Sequence, residues 1–132
     1  MPWPKAASAG RQARNARRKR ENPAYRGYWE AMALRALEKV NGLTLMEMYS
    51  PERLDSGSIV YFTARVDIIG IGQGFVQNNS RTLGGKNKQA HCAKYGIPLL
   101  LMQRPHRMSI AELRIYIERW AAQLRYQQRK SQ

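Results

Sequence analysis

From residue 24 onward, apolar side chains return every three or four positions: Tyr25, Trp29, Met32, Ala33, Ala36, Leu37 and Val40. That is the spacing of one helix face. With Pro23 in the first turn and Gly42 beyond the end, it predicts a helix over residues 23–41. The pattern then changes to alternation, and residues 43–49 predict a strand. Pro51, Asp55, Ser56 and Gly57 predict a polar loop over residues 50–57. Residues 59–62 and 66–71, rich in β-branched side chains, predict one bent strand or two short ones. Residues 75–79 predict another, reached through a turn at Gly70, Gly72 and Gly74. Residues 80–88 read as a basic loop, 89–95 as a short helix ended by Gly96, and 97–102 as a buried strand with Pro98 at its start. Ile110, Leu113, Ile117, Trp120, Ala121 and Leu124 form the stripe of a last helix, opened by the Ser109/Glu112 capping box. The order αβββαβα predicts an α/β fold. Its consecutive strands pair as an antiparallel meander, and a later helix-connected strand completes a mixed central β-sheet flanked by helices.

Charge adds a second layer. The 132 residues carry 23 Lys and Arg against 9 Asp and Glu, a net charge of +14. Such an excess points to a polyanionic partner, most often nucleic acid, and does not choose between DNA and RNA. It is concentrated at the start, where Lys5, Arg11, Arg14, Arg17, Arg18, Lys19 and Arg20 face Glu21 alone. Residues 1–22 are expected to be a flexible basic tail that neutralises phosphates, residues 23–127 the domain, and residues 128–132 a basic C-terminal tail. A solvated or targeting tail is the plainer reading. The Arg-rich start resembles a mitochondrial presequence but lacks an apolar face, so a cytoplasmic location is expected ahead of an organellar one. No apolar run approaches the ~20 residues of a membrane span. Cys92 is the only cysteine and His91 and His106 the only histidines. This excludes an internal disulfide and a multi-histidine or Cys-rich zinc site, and favours a reducing compartment.

The candidate chemistry lies in residues 57–80. Asp67 sits in the apolar run Val66-Asp67-Ile68-Ile69, where an ionised carboxylate calls for a cation, a metal or several N–H donors. On the next strand Gln77 and Asn79 share a face, and a hairpin would bring them to Asp67. Glu30, beside the apolar stripe of the first helix, is a boundary residue or a further ligand. Lys86, Lys88 and Arg81 lie where a loop could carry them over the site. Asp67, Gln77 and Glu30 together would offer oxygens to magnesium or manganese, which would activate water and offset charge on a phosphate. The alternative is that Asp67 pairs with Arg65. A nucleophilic triad is unsupported, because His91 and Cys92 are adjacent on a helix and point apart. The spaced glycines 70, 72 and 74 form a turn and no dinucleotide fingerprint.

Three segments resemble a known family. Tyr25-Arg26-Gly27-Tyr28-Trp29-Glu30 is similar to a helix start, Val66-Asp67-Ile68-Ile69-Gly70-Ile71 to a metal-binding strand, and Phe75-Val76-Gln77-Asn78-Asn79-Ser80 to a (Glu/Gln)-x-Lys strand. Together, over residues 24–120, they resemble the PD-(D/E)XK nuclease superfamily, and within it the small archaeal-type and phage Holliday junction resolvases. The resemblance implies Asp67 as central metal ligand, Gln77 as second ligand and Glu30 as auxiliary ligand. It implies branched DNA as substrate, magnesium or manganese as cofactor, and a homodimer, for which the exposed sheet edge and the Trp120/Tyr126 region are candidate surfaces. Asn79 stands where the family has a lysine, and a neutral amide supplies no positive charge. Lys86, Lys88 or Arg81 would have to replace it. The leading expectation is a structure-directed, metal-dependent DNA endonuclease. The alternatives are an impaired nuclease fold that still binds nucleic acid, and a basic component of a ribonucleoprotein particle.

Overall fold

The computed structural model describes residues 5–78, 83–102 and 107–131. The helices are α1 (Lys5–Glu21), α2 (Tyr28–Leu37), α3 (Leu83–Tyr95) and α4 (Ile110–Lys130), with a single 3₁₀ turn at Pro23–Tyr25 before α2. The strands are β1 (Leu43–Arg53), β2 (Ile59–Ile68), β3 (Gly72–Asn78) and β4 (Leu99–Met102). They form one mixed sheet in the order β1-β2-β3-β4, antiparallel except that β4 runs parallel to β3. From α2 onward the order αβββαβα is the expected one.

Several boundaries differ from expectation. The polar loop shrinks, because β1 continues through Pro51 to Arg53; β1 is an edge strand, where a missing N–H is tolerated. The bent strand is one piece, residues 59–68. The helix expected over residues 89–95 already begins at Leu83, so Lys86 and Lys88 are helical. The last helix runs to Lys130 and absorbs most of the expected C-terminal tail. Ser109 and Glu112 do form the capping box, in both directions.

The largest change is at the start. The segment expected to be a flexible tail is, over residues 5–21, a helix docked on the domain. Ala16 is buried in the main core. Arg20 donates to Met48 O (3.0 Å) and Tyr49 O (2.7 Å) of β1. Arg26 closes the end of α1 by donating to Lys19 O (2.8 Å) and Arg20 O (3.2 Å), two of the carbonyls a helix C-terminus leaves without partners. The composition is that of a disordered segment, but a buried alanine, two arginines aimed at open carbonyls and the Lys19–Glu30 pair hold it to the domain.

The core is in two parts. The larger joins α1, α2 and α4 to the sheet through Leu34, Leu37, Val66, Ile68, Leu113 and Ile117. The smaller joins Phe62, Phe75 and Cys92, so that α3 covers a different part of the sheet. Phe62 and Ala64 are two apart on β2 yet belong to different clusters. Side chains two apart on a regular strand share a face, so the strand turns over between them. Tyr49 marks the same place on β1, between the pairs Met48↔Ala64 and Ser50↔Phe62, with φ 52°. Left-handed backbone is costly for a tyrosine, and the Arg20 guanidinium holds the carbonyls on either side of that φ. At the opposite end of β2 the second face is open to solvent.

Candidate functional site

The site grows out of a place where two strands part. The β2–β3 ladder ends at Ala64↔Val76. Beyond it, backbone groups that a longer ladder would have paired need other partners. Thr63 N donates to the side-chain oxygen of Gln77 at 2.9 Å, with Thr63 Oγ1 at 3.4 Å from the same atom. Tyr61 O accepts from Lys88 Nζ at 2.6 Å. Lys88, carried by α3, lies over the Phe62 ring, 5.4 Å from its centroid. Burial pushes its pKa below the usual lysine value, opposed by the nearby Glu30 carboxylate and reinforced by Lys19.

Glu30 enters from α2. Its carboxylate accepts from Lys19 Nζ at 3.1 and 3.5 Å. Lys19 also lies over the Tyr49 ring, 5.4 Å from its centroid. The Tyr49 hydroxyl is buried without a hydrogen bond of ordinary length among the described residues. Burial raises its pKa well above the ordinary phenol value, and the adjacent Glu30 carboxylate raises it further. Glu30, Lys19, Lys88, Tyr49 and Gln77 are thus drawn to the splayed end of β2 and β3. Lys88 is the lysine that reaches in from outside the strands, while Lys86 is exposed on α3. Thr63 and Tyr49 are not among the residues the sequence singles out, and Lys19, expected as one of the phosphate-neutralising cations of the basic start, is instead held by Glu30; only the alternation of β2 and the register could have pointed to Thr63.

Asp67 is elsewhere, and here the expected convergence is corrected. Its partners across the ladder are Thr44 and Gln73, whereas Gln77 lies beside Thr63. Four residues along a strand separate the two places, roughly 13 Å at the usual rise. Asp67 is exposed, because nothing among the described residues covers that end of the sheet face. Its charge is solvated and needs no counter-ion. Nor is Arg65 its partner: Arg65 donates to Ser50 Oγ (2.8 Å), Gln73 Oε1 (3.0 Å) and Pro51 O (3.2 Å), and stacks 4.8 Å from the Phe75 centroid. Asn79 and Arg81 lie outside the described residues, as does His106.

The donor set does not suit a hard cation, which takes six or more oxygens, carboxylates first. No group of three metal-ligating side chains occurs among the described residues. Every Asp and Glu of the chain is described, and apart from Glu30 each is placed or engaged away from the gap. Glu21 pairs with Arg17, Glu47 with Arg20 and Ser50, Glu52 with His91, and Asp55 with Lys94 and Tyr95. Glu112 caps α4, Glu118 accepts from Asn41 N, and Glu38 is exposed just after α2. Cys92 is a core residue, its thiol pushed up to about 11 by burial and by Glu52.

The basic residues divide in the same way. Arg11, Arg14, Arg17 and Arg18 are exposed on α1, while Lys19, Arg20 and Arg26 are turned to structural partners. Of the surfaces considered for self-association, Trp120 packs partly against the core and Tyr126 is exposed. No helix among the described residues is long and apolar enough to cross a membrane. No protein-family model, characterised protein or solved structure matches the chain.

Proposed function

We propose that the chain is a nucleic-acid-binding module built on a nuclease-like αβββαβα frame, and that it binds without hydrolysing. One observation carries this reading. The polar gap between β2 and β3 gathers Gln77 and Glu30 but not Asp67, the central metal ligand that the resemblance to PD-(D/E)XK nucleases implies; it receives a single carboxylate, and that carboxylate is already held by Lys19. The position facing Gln77 is Thr63, which offers a hydroxyl and no charge. Without paired carboxylates no divalent ion is assembled to activate water. What the frame retains is charge: +14 overall, with exposed arginines along α1. Cations that displace condensed counterions from a phosphate backbone supply affinity without chemistry. DNA, branched DNA in particular, is the partner the resemblance favours.

The test is a binding and cleavage assay of the full chain on labelled four-way junction, linear duplex, single strand and RNA, with magnesium, manganese or chelator. The expected result is binding that weakens steeply with salt, is indifferent to chelator, and leaves every strand intact. Paired nicks that vanish with chelator would establish the hydrolytic reading instead. Absence of binding at low salt to all four would remove the nucleic-acid reading altogether.

A further inference from the structure

Among the described residues Tyr25 and Tyr28 are two of the most exposed aromatics, at 54 % and 66 %. Two large aromatics left in solvent three residues apart are unusual unless something covers them. The first of them meets a row of arginines. In α1 each residue advances about 100° round the axis, so Arg11, Arg14 and Arg18 share the side roughly opposite the buried Ala16. All three are exposed. The row ends at Tyr25, where the Arg18 guanidinium lies over the ring, 5.2 Å from its centroid; Tyr28 follows three residues on, at the start of α2.

The segment that carries the rings is fixed before any partner arrives. Asn22 accepts from Ala24 N at 3.0 Å and Tyr25 N donates to Asn22 O at 3.1 Å. Arg26 ties the following residue back to the end of α1. Tyr28 opens α2. Rigid aromatic rings next to a line of cations match one chemistry, an unpaired nucleic-acid strand: bases stack on the rings, and the backbone runs along the arginines. In an uninterrupted duplex the base faces are already stacked on one another and cannot reach a tyrosine. Charge complementarity disfavours a hydrophobic protein partner at so basic a surface.

Resting on the nucleic-acid reading above, we infer that Tyr25 and Tyr28 form a stacking platform for unpaired bases, with Arg18, Arg14 and Arg11 as its backbone track. The chain then prefers single strands, or the unpaired nucleotides of a branch, to closed duplex.

The experiment is titration of the full chain against a fluorescent single strand and against a blunt-ended duplex of equal length with G·C-rich ends, at fixed salt. The wild-type protein should favour the single strand. Tyr25→Ala and Tyr28→Ala should each weaken single-strand binding by about tenfold, from the usual worth of one stacked base, and leave the duplex nearly unchanged. Tyr25→Phe and Tyr28→Phe should keep the preference, since the ring and not the hydroxyl stacks. Arg18→Gln should weaken both ligands and flatten their salt dependence. Alanine variants that bind the single strand like wild type, or that lose equally on both ligands, would overturn the platform while leaving nucleic-acid binding intact. A wild-type protein that binds neither ligand would overturn the platform and the nucleic-acid reading together. Both rings are exposed, and thermal unfolding of each variant checks that the fold is retained.

Discussion

Glu30 is where a structural role and a catalytic one predict opposite results. Glu30→Gln keeps the side-chain shape and removes the charge. In the structure that charge neutralises Lys19 at 3.1 Å and faces the partly buried Lys88. The Glu30 side chain is 14 % exposed and Lys19 33 %, so the pair lies between the surface and the buried case. Exposed pairs contribute about 0–1 kcal/mol and broken buried ones cost about 3–5. A loss of about 1–2 kcal/mol is therefore expected, a fall in Tm of roughly 4–8 °C for a chain of this length. Binding should move the other way. Lys19 is released to a phosphate, and each added phosphate contact steepens the slope of log K against log salt by about 0.9. At 0.1 M salt that is roughly an eightfold gain in affinity. The assays are thermal unfolding and fluorescence anisotropy over a salt series, with and without magnesium. Reduced stability with increased, metal-independent affinity is the expected signature. If instead affinity falls, or if magnesium strengthens wild-type binding and not that of the variant, Glu30 is acting as a metal ligand and the reasoning fails.

Two further substitutions test the frame around the site. A Cβ at Gly74 would lie 2.8 Å from Pro98 O and 3.1 Å from both Ile68 Cδ1 and Pro98 Cβ. Pro98 O accepts from Phe75 N, so Gly74→Ala forces β3 and β4 apart and should destabilise by about 1–3 kcal/mol, despite the reduced unfolded-state entropy; an unchanged or higher Tm would contradict this. The Tyr49 phenol is held neutral by burial, so its folded-state pKa lies above the unfolded one. Its contribution is complete below about pH 10 and is lost as pH rises beyond, when the unfolded phenol ionises and the folded one does not. Tyr49→Phe should thus be neutral or stabilising by up to about 1 kcal/mol at pH 7, where it removes a buried hydroxyl that has the Glu30 carboxylate nearby but no hydrogen bond of ordinary length, and should flatten the decline in urea stability above pH 10. A large loss of stability at pH 7 would show that the hydroxyl has a partner the fold depends on.

The sequence by itself determined the elements whose signals are local. The α4 stripe and its capping box, the alternation of β1, the β-branched run of β2 and, from α2 onward, the order αβββαβα all follow from spacing and composition; of the three glycines expected in the turn only Gly70 lies there, while Gly72 and Gly74 belong to β3. The exclusion of a multi-histidine or Cys-rich zinc site needs no more than the count of two histidines and one cysteine. The two terminal tails were misjudged because composition measures what a segment can bury alone. It does not see that Ala16 is taken into the main core, or that Arg20 reaches two carbonyls on a strand nearly thirty residues away.

Tertiary structure decided the site. Whether Asp67 meets Gln77 depends on hairpin register, and register is set by where the ladder turns and ends. The same apolar run that made Asp67 conspicuous lies at the end of β2 whose second face is open, so its carboxylate is merely solvated. At the other end the strands turn over at Tyr49 and Thr63 and then part, and that gap gathers Glu30, Lys19, Lys88 and Gln77 from four elements. Periodicity assigns a residue to a face of its own strand or helix. Which faces come together, and how far along, is fixed only when long-range pairing and packing close the fold.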